Sequence, residues 1–416
     1  ALTGRIGFQG KLPITVRGRY EYGDGIVTSP IAIRYGVPED VGMNSVILSR
    51  LDTLLWNAIG DSAFPGAALA VGRGEVIARA DGFGYLKYDS EQRITPKSLF
   101  DLASLTKVAA TTPAIMVLYE RGLIELNEPL ATYLPEFGAA GKDSVTVRQI
   151  LTHTSGLSPF YSFERMGITT PSGIIDFIAA DSLMYKPDSL YRYSDLGMIM
   201  LAKAVERITD QEFGAFLAEN VYEPLGMHDT GFRPAGGKGI DSTVVPTEVD
   251  TVFRMRLVQG EVHDERAWVL GGTAGHAGLF STAEDLAKYA SMLLNGGVGN
   301  GVRIFQPETV SLFTTRFPND IGHTRALGWD TKSDEGYSSA GQFFGPRSFG
   351  HTGFTGTSLW MDPDANVFVI LLTNRVYPTR MNRKLFSIRP RVADIVFLSI
   401  TGGPTLDLRR FTKEPF

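Results

Sequence analysis

Two pairs of strand-like segments lie near opposite ends of the chain, and no other feature restricts the fold as much. Residues 67–71 and 76–80 are strand-like runs separated by Gly72-Arg73-Gly74, a pattern that predicts a β-hairpin. Residues 357–361 and 367–373 flank Asp362-Pro363-Asp364-Ala365-Asn366, which predicts a second one. Between the two the pattern is mainly helical. Residues 196–208 and 212–221 read as consecutive helices that stop before Pro224, and Thr282 is placed to cap a helix over 283–294 that Asn295-Gly296-Gly297 ends. Ahead of the first hairpin, Val46, Ile47, Leu51, Leu54 and Leu55 recur at helical spacing over 43–59, with Asn44 as the N-cap. Residues 391–399 read as a closing helix. The simplest architecture is of the α+β class: an antiparallel sheet assembled from both chain ends, flanked by helices, with a helical subdomain inserted. The expected units are an α/β domain from residues 37–107 and 271–416, a helical subdomain at 108–270 and an N-terminal extension or linker at 1–36.

Composition narrows the function. Of 416 residues, 40 are Lys or Arg and 45 are Asp or Glu, a formal net charge of −5. That balance argues against a general nucleic-acid or anionic-membrane binder. The chain has no Cys, which excludes disulfides, thiolate zinc sites and a cysteine nucleophile together. No apolar run is long enough to span a bilayer; the longest, 367–372, is of strand length. Ala1 stands where an initiator Met would be, and reads as a processed or trimmed start. The compartment stays open, with an exported location the favoured reading. The oligomeric state is not readable.

The sharpest local signal is Ser104-Leu105-Thr106-Lys107, preceded by Phe100-Asp101-Leu102-Ala103 and followed by a long helical run over 108–122. Pro113 sits inside that run and should kink it near Ala109. If Ser104 opens the helix, Lys107 shares its face one turn on. A serine hydroxyl is a weak nucleophile without a base, and a partly desolvated Lys can lose its proton and serve. The helix N-terminus adds backbone donors beside a developing oxyanion. Taken alone, the tetrapeptide reads as a plain serine cap, because S-x-x-K at a helix start occurs often by chance.

Two further pieces stand in order behind it. Tyr193-Ser194-Asp195 precedes a helix, and His351-Thr352-Gly353 leads into the last hairpin within Phe349-Gly350-His351-Thr352-Gly353-Phe354-Thr355-Gly356-Thr357. With these three motifs, and with Leu151-Thr152-His153-Thr154-Ser155-Gly156-Leu157 and Gly278-Leu279-Phe280-Ser281-Thr282 between them, the chain over about residues 38–400 resembles the serine β-lactamase and penicillin-binding-protein superfamily. It lies on the side of class C β-lactamases, D-Ala-D-Ala carboxypeptidases, D-aminopeptidases and family VIII carboxylesterases. Residues 10–16 also resemble the C-terminal end of family-three glycoside hydrolases of the N-acetylglucosaminidase type, which makes 1–36 a candidate remnant.

The resemblance to the β-lactamase superfamily implies a β-lactamase-like α/β/α sandwich and assigns roles. Ser104 is the nucleophile that becomes acylated. Lys107 accepts or relays its proton, and Tyr193 is the second acid or base. His351 stands where many relatives have Lys, and supplies a donor or a positive charge to an anionic substrate end. Thr352 and Gly353 line the substrate, and the backbone N–H groups of Ser104 and Phe354 form the oxyanion hole. Neither metal nor organic cofactor is implied.

The sequence departs from the family pattern twice. The middle motif usually ends in Asn, whereas here it ends in Asp195, and a carboxylate can accept but not donate. Asp195 then either pairs with Lys107 or loses its part in binding a substrate amide. His351 in place of Lys suits substrates less anionic than β-lactams if the imidazole is neutral at pH 7; some peptidases of the group share His-Thr-Gly. The expected partner is a small ester, peptide or β-lactam. The expected activity is a carboxylesterase with weak β-lactam reactivity. The rivals are a D-amino-acid-specific peptidase, a class C-like β-lactamase and, in another class, a penicillin-binding or sensing module that does not turn over.

Other signals are weaker. His153, His228, His263, His276 and His323 form no H-E-x-x-H pair, and His153 reads as structural. The Gly-rich loop around His276 reads equally as pocket lining or tight packing. His263-Asp264-Glu265-Arg266 reads as a solvated turn. Asp362-x-Asp364-x-Asn366 lacks the Gly and Glu of a calcium loop and reads as a polar hairpin turn. Trp329, Tyr337, Phe343 and Phe344 read equally as an acyl pocket or as loop packing. No G-x-S-x-G elbow occurs.

Overall fold

A computed structural model describes residues 10–25, 32–233 and 244–401. Residues 1–9 and 26–31 of the expected extension lie outside the described residues. The two predicted hairpins meet in one seven-stranded sheet. Its strands are β1 (Arg34–Tyr35), β2 (Gly66–Arg73), β3 (Val76–Gly84), β4 (Asp330–Thr331), β5 (Phe349–Thr352), β6 (Ser358–Asp362) and β7 (Val367–Thr373). The order across the sheet is β1-β3-β2-β7-β6-β5-β4. The chain ends join where β7 pairs antiparallel with β2, Val369 opposite Val71 and Ile370 opposite Ala70. Every pairing is antiparallel except that of β1, which runs parallel to β3. The sheet is therefore mixed rather than wholly antiparallel, and its parallel edge strand comes from the last residues of the stretch expected to be a linker.

Both faces of the central strands are buried, which explains why they read as continuous apolar runs. Leu69, Val71, Val369 and Leu371 face one side. There they pack with Leu51, Leu54 and Leu55 of α1 (Arg50–Gly60) and with Val392 and Val396 of the C-terminal helix (Leu385–Leu398). Ala68, Ala70, Phe368, Ile370 and Leu372 face the other side, in a larger cluster with Leu286 and Ala290 of the helix Ala283–Leu294. That cluster continues into the helical segments between the two halves of the sheet, including Met198 and Leu201 of the helix Asp195–Thr209.

Most helix signals hold, with boundary changes. Asn44 caps as expected, its side chain accepting from Ile47 N, but the first helix breaks at Ser49 into Ser45–Leu48 and α1. Thr282 accepts from Asp285 N at 3.1 Å. The segment after Phe213–Leu217 widens into a π-turn over Ala218–Tyr222. The C-terminal helix starts earlier than expected, at Leu385, and contains Pro390.

The helix after Ser104 differs most. It opens as a π-turn over Lys107–Thr111, where Thr112 N reaches back to Lys107 O, and becomes α-helical only at α2 (Thr112–Glu120). Pro113 has no N–H for Ala109 O, and the wide turn leaves Val108 O free as well. Two buried tyrosines satisfy both carbonyls. Tyr222 Oη donates to Ala109 O at 2.8 Å, and Tyr289 Oη donates to Val108 O at 2.7 Å. Burial pushes both phenols far above their ordinary pKa, so they stay protonated donors. Tyr222→Phe therefore leaves a buried carbonyl unpaired and is expected to cost about 1–3 kcal/mol. Urea unfolding measures it, and an unchanged midpoint would contradict this account of the turn.

Candidate active site

The strand Phe100–Asp101 pairs with Leu279–Ser281 and delivers Ser104 to the cleft. Leu102 N donates to Leu279 O at 2.9 Å. Ala103 takes a left-handed conformation with φ 47°, a strained state for a residue with a Cβ. The buried Asp101 holds the turn: its Oδ1 accepts from Ala103 N at 2.8 Å and its Oδ2 from His263 N at 2.6 Å. The helical turn then starts at once, so the side chains of Ser104 and Lys107 share a face.

Lys107 is fully buried. Its Nζ lies 3.0 Å from Ser104 Oγ, 3.1 Å from His276 O and 2.8 Å from Asp195 Oδ1. Burial alone would pull the ammonium toward neutrality, but the Asp195 carboxylate, with Tyr193, outweighs it and raises the pKa above that of an ordinary lysine. Burial likewise opposes charge on Asp195, and Lys107 and Arg266 overcome it, so that its pKa falls. Lys107 and Asp195 therefore form an ammonium–carboxylate pair, the first of the two outcomes expected for the Asp at this position.

A ring of charges continues from that pair. Arg266 Nη1 lies 2.9 Å from Asp195 Oδ2, Arg266 also pairs with Asp264, and Asp264 Oδ1 lies 2.9 Å from His276 Nε2. The His276 carbonyl closes the ring on Lys107. Both contacts of Asp195 are ion pairs rather than aligned hydrogen bonds. The segment 263–266 is thus not a solvated turn. Asp264 caps the helix Glu265–Val269, accepting from Ala267 N at 3.0 Å, and carries Arg266 into the site.

The second motif arrives from the helical lobe. Ser194 stands before the helix Asp195–Thr209 and is fixed by Ser194 Oγ donating to Ser158 O at 2.7 Å and Ser194 N donating to His153 Nδ1 at 3.2 Å. His153 thus has a structural task in the turn that aims Tyr193. The Tyr193 ring lies 4.8 Å from Lys107 Nζ, 5.9 Å from the His351 ring and 4.4 Å from the His153 ring. Ser104, Lys107, Tyr193 and His351 meet in one cleft.

His351 sits on β5 and is buried. Its Nδ1 lies 2.8 Å from Thr352 O, and a carbonyl can only accept, so Nδ1 carries the proton. Burial, then Arg325 and Lys107, hold the imidazole well below its usual pKa. The ring is neutral, and its Nε2, which has no partner among the described residues, is an acceptor. This corrects the expected role of His351 as a donor or cation. The positive charge near it belongs to Arg325, whose Cζ lies 5.3 Å from the Tyr193 ring and whose Nε donates to Tyr191 Oη at 3.0 Å.

The third motif is stitched to the strand ahead of Ser104. Thr355 Oγ1 donates to Asp101 O at 2.7 Å and Thr357 Oγ1 to Leu102 O at 2.9 Å. Gly353 is required there, because a Cβ would lie 2.1 Å from Thr357 Oγ1 and 2.4 Å from Leu102 O. Thr352 ends β5 and Gly353 follows it. Among the described residues, neither Ser104 N–H nor Phe354 N–H has a backbone or side-chain acceptor.

Of the aromatic residues ahead of the third motif, Trp329, Phe344 and Tyr337 are engaged in packing and backbone contacts. Trp329 and Phe344 are core side chains, packed on Phe349 and Phe397 respectively, and the Tyr337 hydroxyl donates to Phe386 O. The 362–366 segment is the expected polar turn, Asp362 Oδ1 accepting from Asp364 N and Ala365 N. Sequence reasoning missed Arg266 and Arg325. Arg266 stood in a charged tetrapeptide already singled out, whereas nothing local marked Arg325.

A family model described as Beta-lactamase matches residues 51–391. Proteins of Salmonella schwarzengrund and Salmonella typhi, provisionally named D-alanyl-D-alanine carboxypeptidase, are 32% identical over 393 residues, covering 86% of this chain and 90% of theirs. Similar solved structures include EstCE1, a hydrolase with promiscuous acyltransferase activity, at 21% identity and a TM-score of 0.68, over 85% of this chain and 99% of that one. A penicillin-binding-protein homologue from Caulobacter crescentus gives 21% identity and a TM-score of 0.67 over 86% and 99% of the two chains. A family VIII carboxylesterase gives 19% and 0.66 over 85% and 99%. At these identities the structural likenesses speak for the fold.

Proposed function

The chain belongs to the beta-lactamase family of serine hydrolases, and on that premise we propose that it forms an acyl-enzyme on Ser104 and hydrolyses D-amino-acid peptides with a free carboxylate. Ser104 Oγ attacks the scissile carbonyl. Lys107 already carries its proton, so it acts as a fixed cation beside Oγ. Tyr193, entering the step as its phenolate, takes the Ser104 proton and passes it to the leaving amine, which leaves Tyr193 a phenolate again. The N–H groups of Ser104 and Phe354 receive the oxyanion. Water then attacks the ester, Tyr193 accepts its proton and delivers it to Ser104 Oγ as the C–Oγ bond breaks, so that serine and phenolate are both restored.

One observation moves the balance from the ester hydrolase expected at first to the peptidase alternative. Burial keeps the His351 imidazole neutral, and Arg325, Lys107 and Arg389 add to it as nearby cations. Those cations give this end of the site a positive potential that favours an anionic substrate end. The 32% identity to proteins named carboxypeptidases points the same way. A carboxylesterase is the second reading, favoured by the absence of charge on His351 itself.

Steady-state assays on N-acylated D-Ala-D-Ala, its C-terminal amide, p-nitrophenyl esters and a chromogenic cephalosporin test the proposal. A charge-assisted contact contributes about 1.5–3 kcal/mol, so amidation is expected to lower kcat/KM by roughly 10- to 100-fold. Equal rates on acid and amide, or turnover of esters alone, would favour the second reading.

A further inference from the structure

Arg389 lies in the C-terminal helix and is 4% exposed. Its Nη2 donates to Gly353 O and to Thr357 O, both at 2.9 Å. The Gly353 carbonyl and the Phe354 N–H belong to one peptide unit. The same carbonyl also accepts from Gly356 N at 3.2 Å, while the Phe354 N–H at the other end of the unit is free to bind a ligand. Hydrogen bonds in series polarise one another, and a guanidinium is a stronger donor than a neutral group.

We propose that Arg389 is a positioning residue that polarises the Gly353–Phe354 peptide and so strengthens Phe354 N–H as an oxyanion donor. This rests on the reading of Ser104 and Phe354 as the oxyanion hole. The guanidinium has no direct path to the substrate through Nη2, because both hydrogen bonds of that nitrogen go to backbone carbonyls. Its second bond, to Thr357 O, fixes the far side of the turn, where Gly353 N already donates to Thr357 O at 2.8 Å. Arg375 acts on the Phe354 side chain instead, its Cζ lying 4.7 Å from the ring. Burial lowers both guanidinium pKa values to about 10, helped by Arg383 at Arg375 and by Arg375 at Arg389, so both are charged at neutral pH.

Removing one oxyanion donor costs about 100- to 1,000-fold in kcat, and polarisation accounts for about 10–30% of a bond's strength. The expected loss on removing the guanidinium is therefore about two- to tenfold. The test uses Arg389→Met and Arg389→Lys with p-nitrophenyl butyrate, a substrate without a carboxylate, and with phenylboronic acid, whose tetrahedral adduct puts an oxygen in the hole. In Arg389→Met, kcat is expected to fall two- to tenfold, KM to stay constant, and the boronate inhibition constant to rise by the factor by which kcat falls. Arg389→Lys should recover part of both losses, and it carries the test if the Met variant does not fold. An unchanged kcat and boronate affinity in a folded Lys or Met variant would overturn the inference. So would a rise in KM with no loss in kcat. If the wild type neither hydrolyses the ester nor binds the boronate at Ser104, the reading beneath the inference falls and the inference with it.

Discussion

Ser104→Ala is expected to lower kcat at least about 10,000-fold on any substrate the wild type turns over. Removing the nucleophile of a serine hydrolase leaves only what the oxyanion hole and substrate binding supply. The fold should not change. Ser104 is half-buried and the only hydrogen bond of its hydroxyl among the described residues comes from Lys107, an ammonium that keeps Asp195 and the His276 carbonyl when the hydroxyl is gone. Thermal unfolding should therefore stay close to that of the wild type while activity is lost. Hydrolysis within tenfold of the wild type would remove Ser104 from the chemistry.

Lys107→Met is expected to lower kcat/KM by roughly 1,000-fold, the range of a positioned acid–base or charge-stabilising group. The variant leaves Asp195 paired with Arg266 alone. Because one partner of the carboxylate survives, the stability cost should fall below the about 3–5 kcal/mol typical of breaking a buried pair. Lys107→Arg should not restore activity, because a planar guanidinium cannot occupy the small space between Ser104 Oγ and Asp195 as an ammonium does. Rates per folded molecule, with folding followed by urea titration, separate the two effects. A Met variant within tenfold of the wild type would show that the cation beside Oγ has no part in the reaction.

The parts of the site that sequence carried were those written as local pattern. Ser104 and Lys107 sit one turn apart on a helix face, Tyr193 and Asp195 stand at a helix start, and His351 lies on a strand that Gly353 follows. Each could be placed on its element before any contact was known. What sequence did not carry were partners brought in by tertiary packing. Arg266 reaches Asp195 only because Asp264 caps a short helix behind the cleft. The neutrality of His351 comes from burial and from Arg325 and Lys107, which are close in space and distant in sequence. The fold followed the same rule. Both hairpins were legible from short strand-like runs and the turn residues between them. The two-residue edge strand Arg34–Tyr35 has too few positions to show a period. The π-turn at Lys107–Thr111 depends on two tyrosine hydroxyls from other helices, and Pro113 announced only that some irregularity would occur there.

Intact-protein mass spectrometry after a brief incubation with a chromogenic cephalosporin tests the acyl-enzyme directly. The account predicts a mass increase equal to the acyl group, located on the peptide that contains Ser104, decaying as hydrolysed product appears and absent from Ser104→Ala. An adduct on another residue, or an identical adduct in the Ala variant, would contradict it. An adduct on Ser104 that never decays would leave acylation standing and remove turnover.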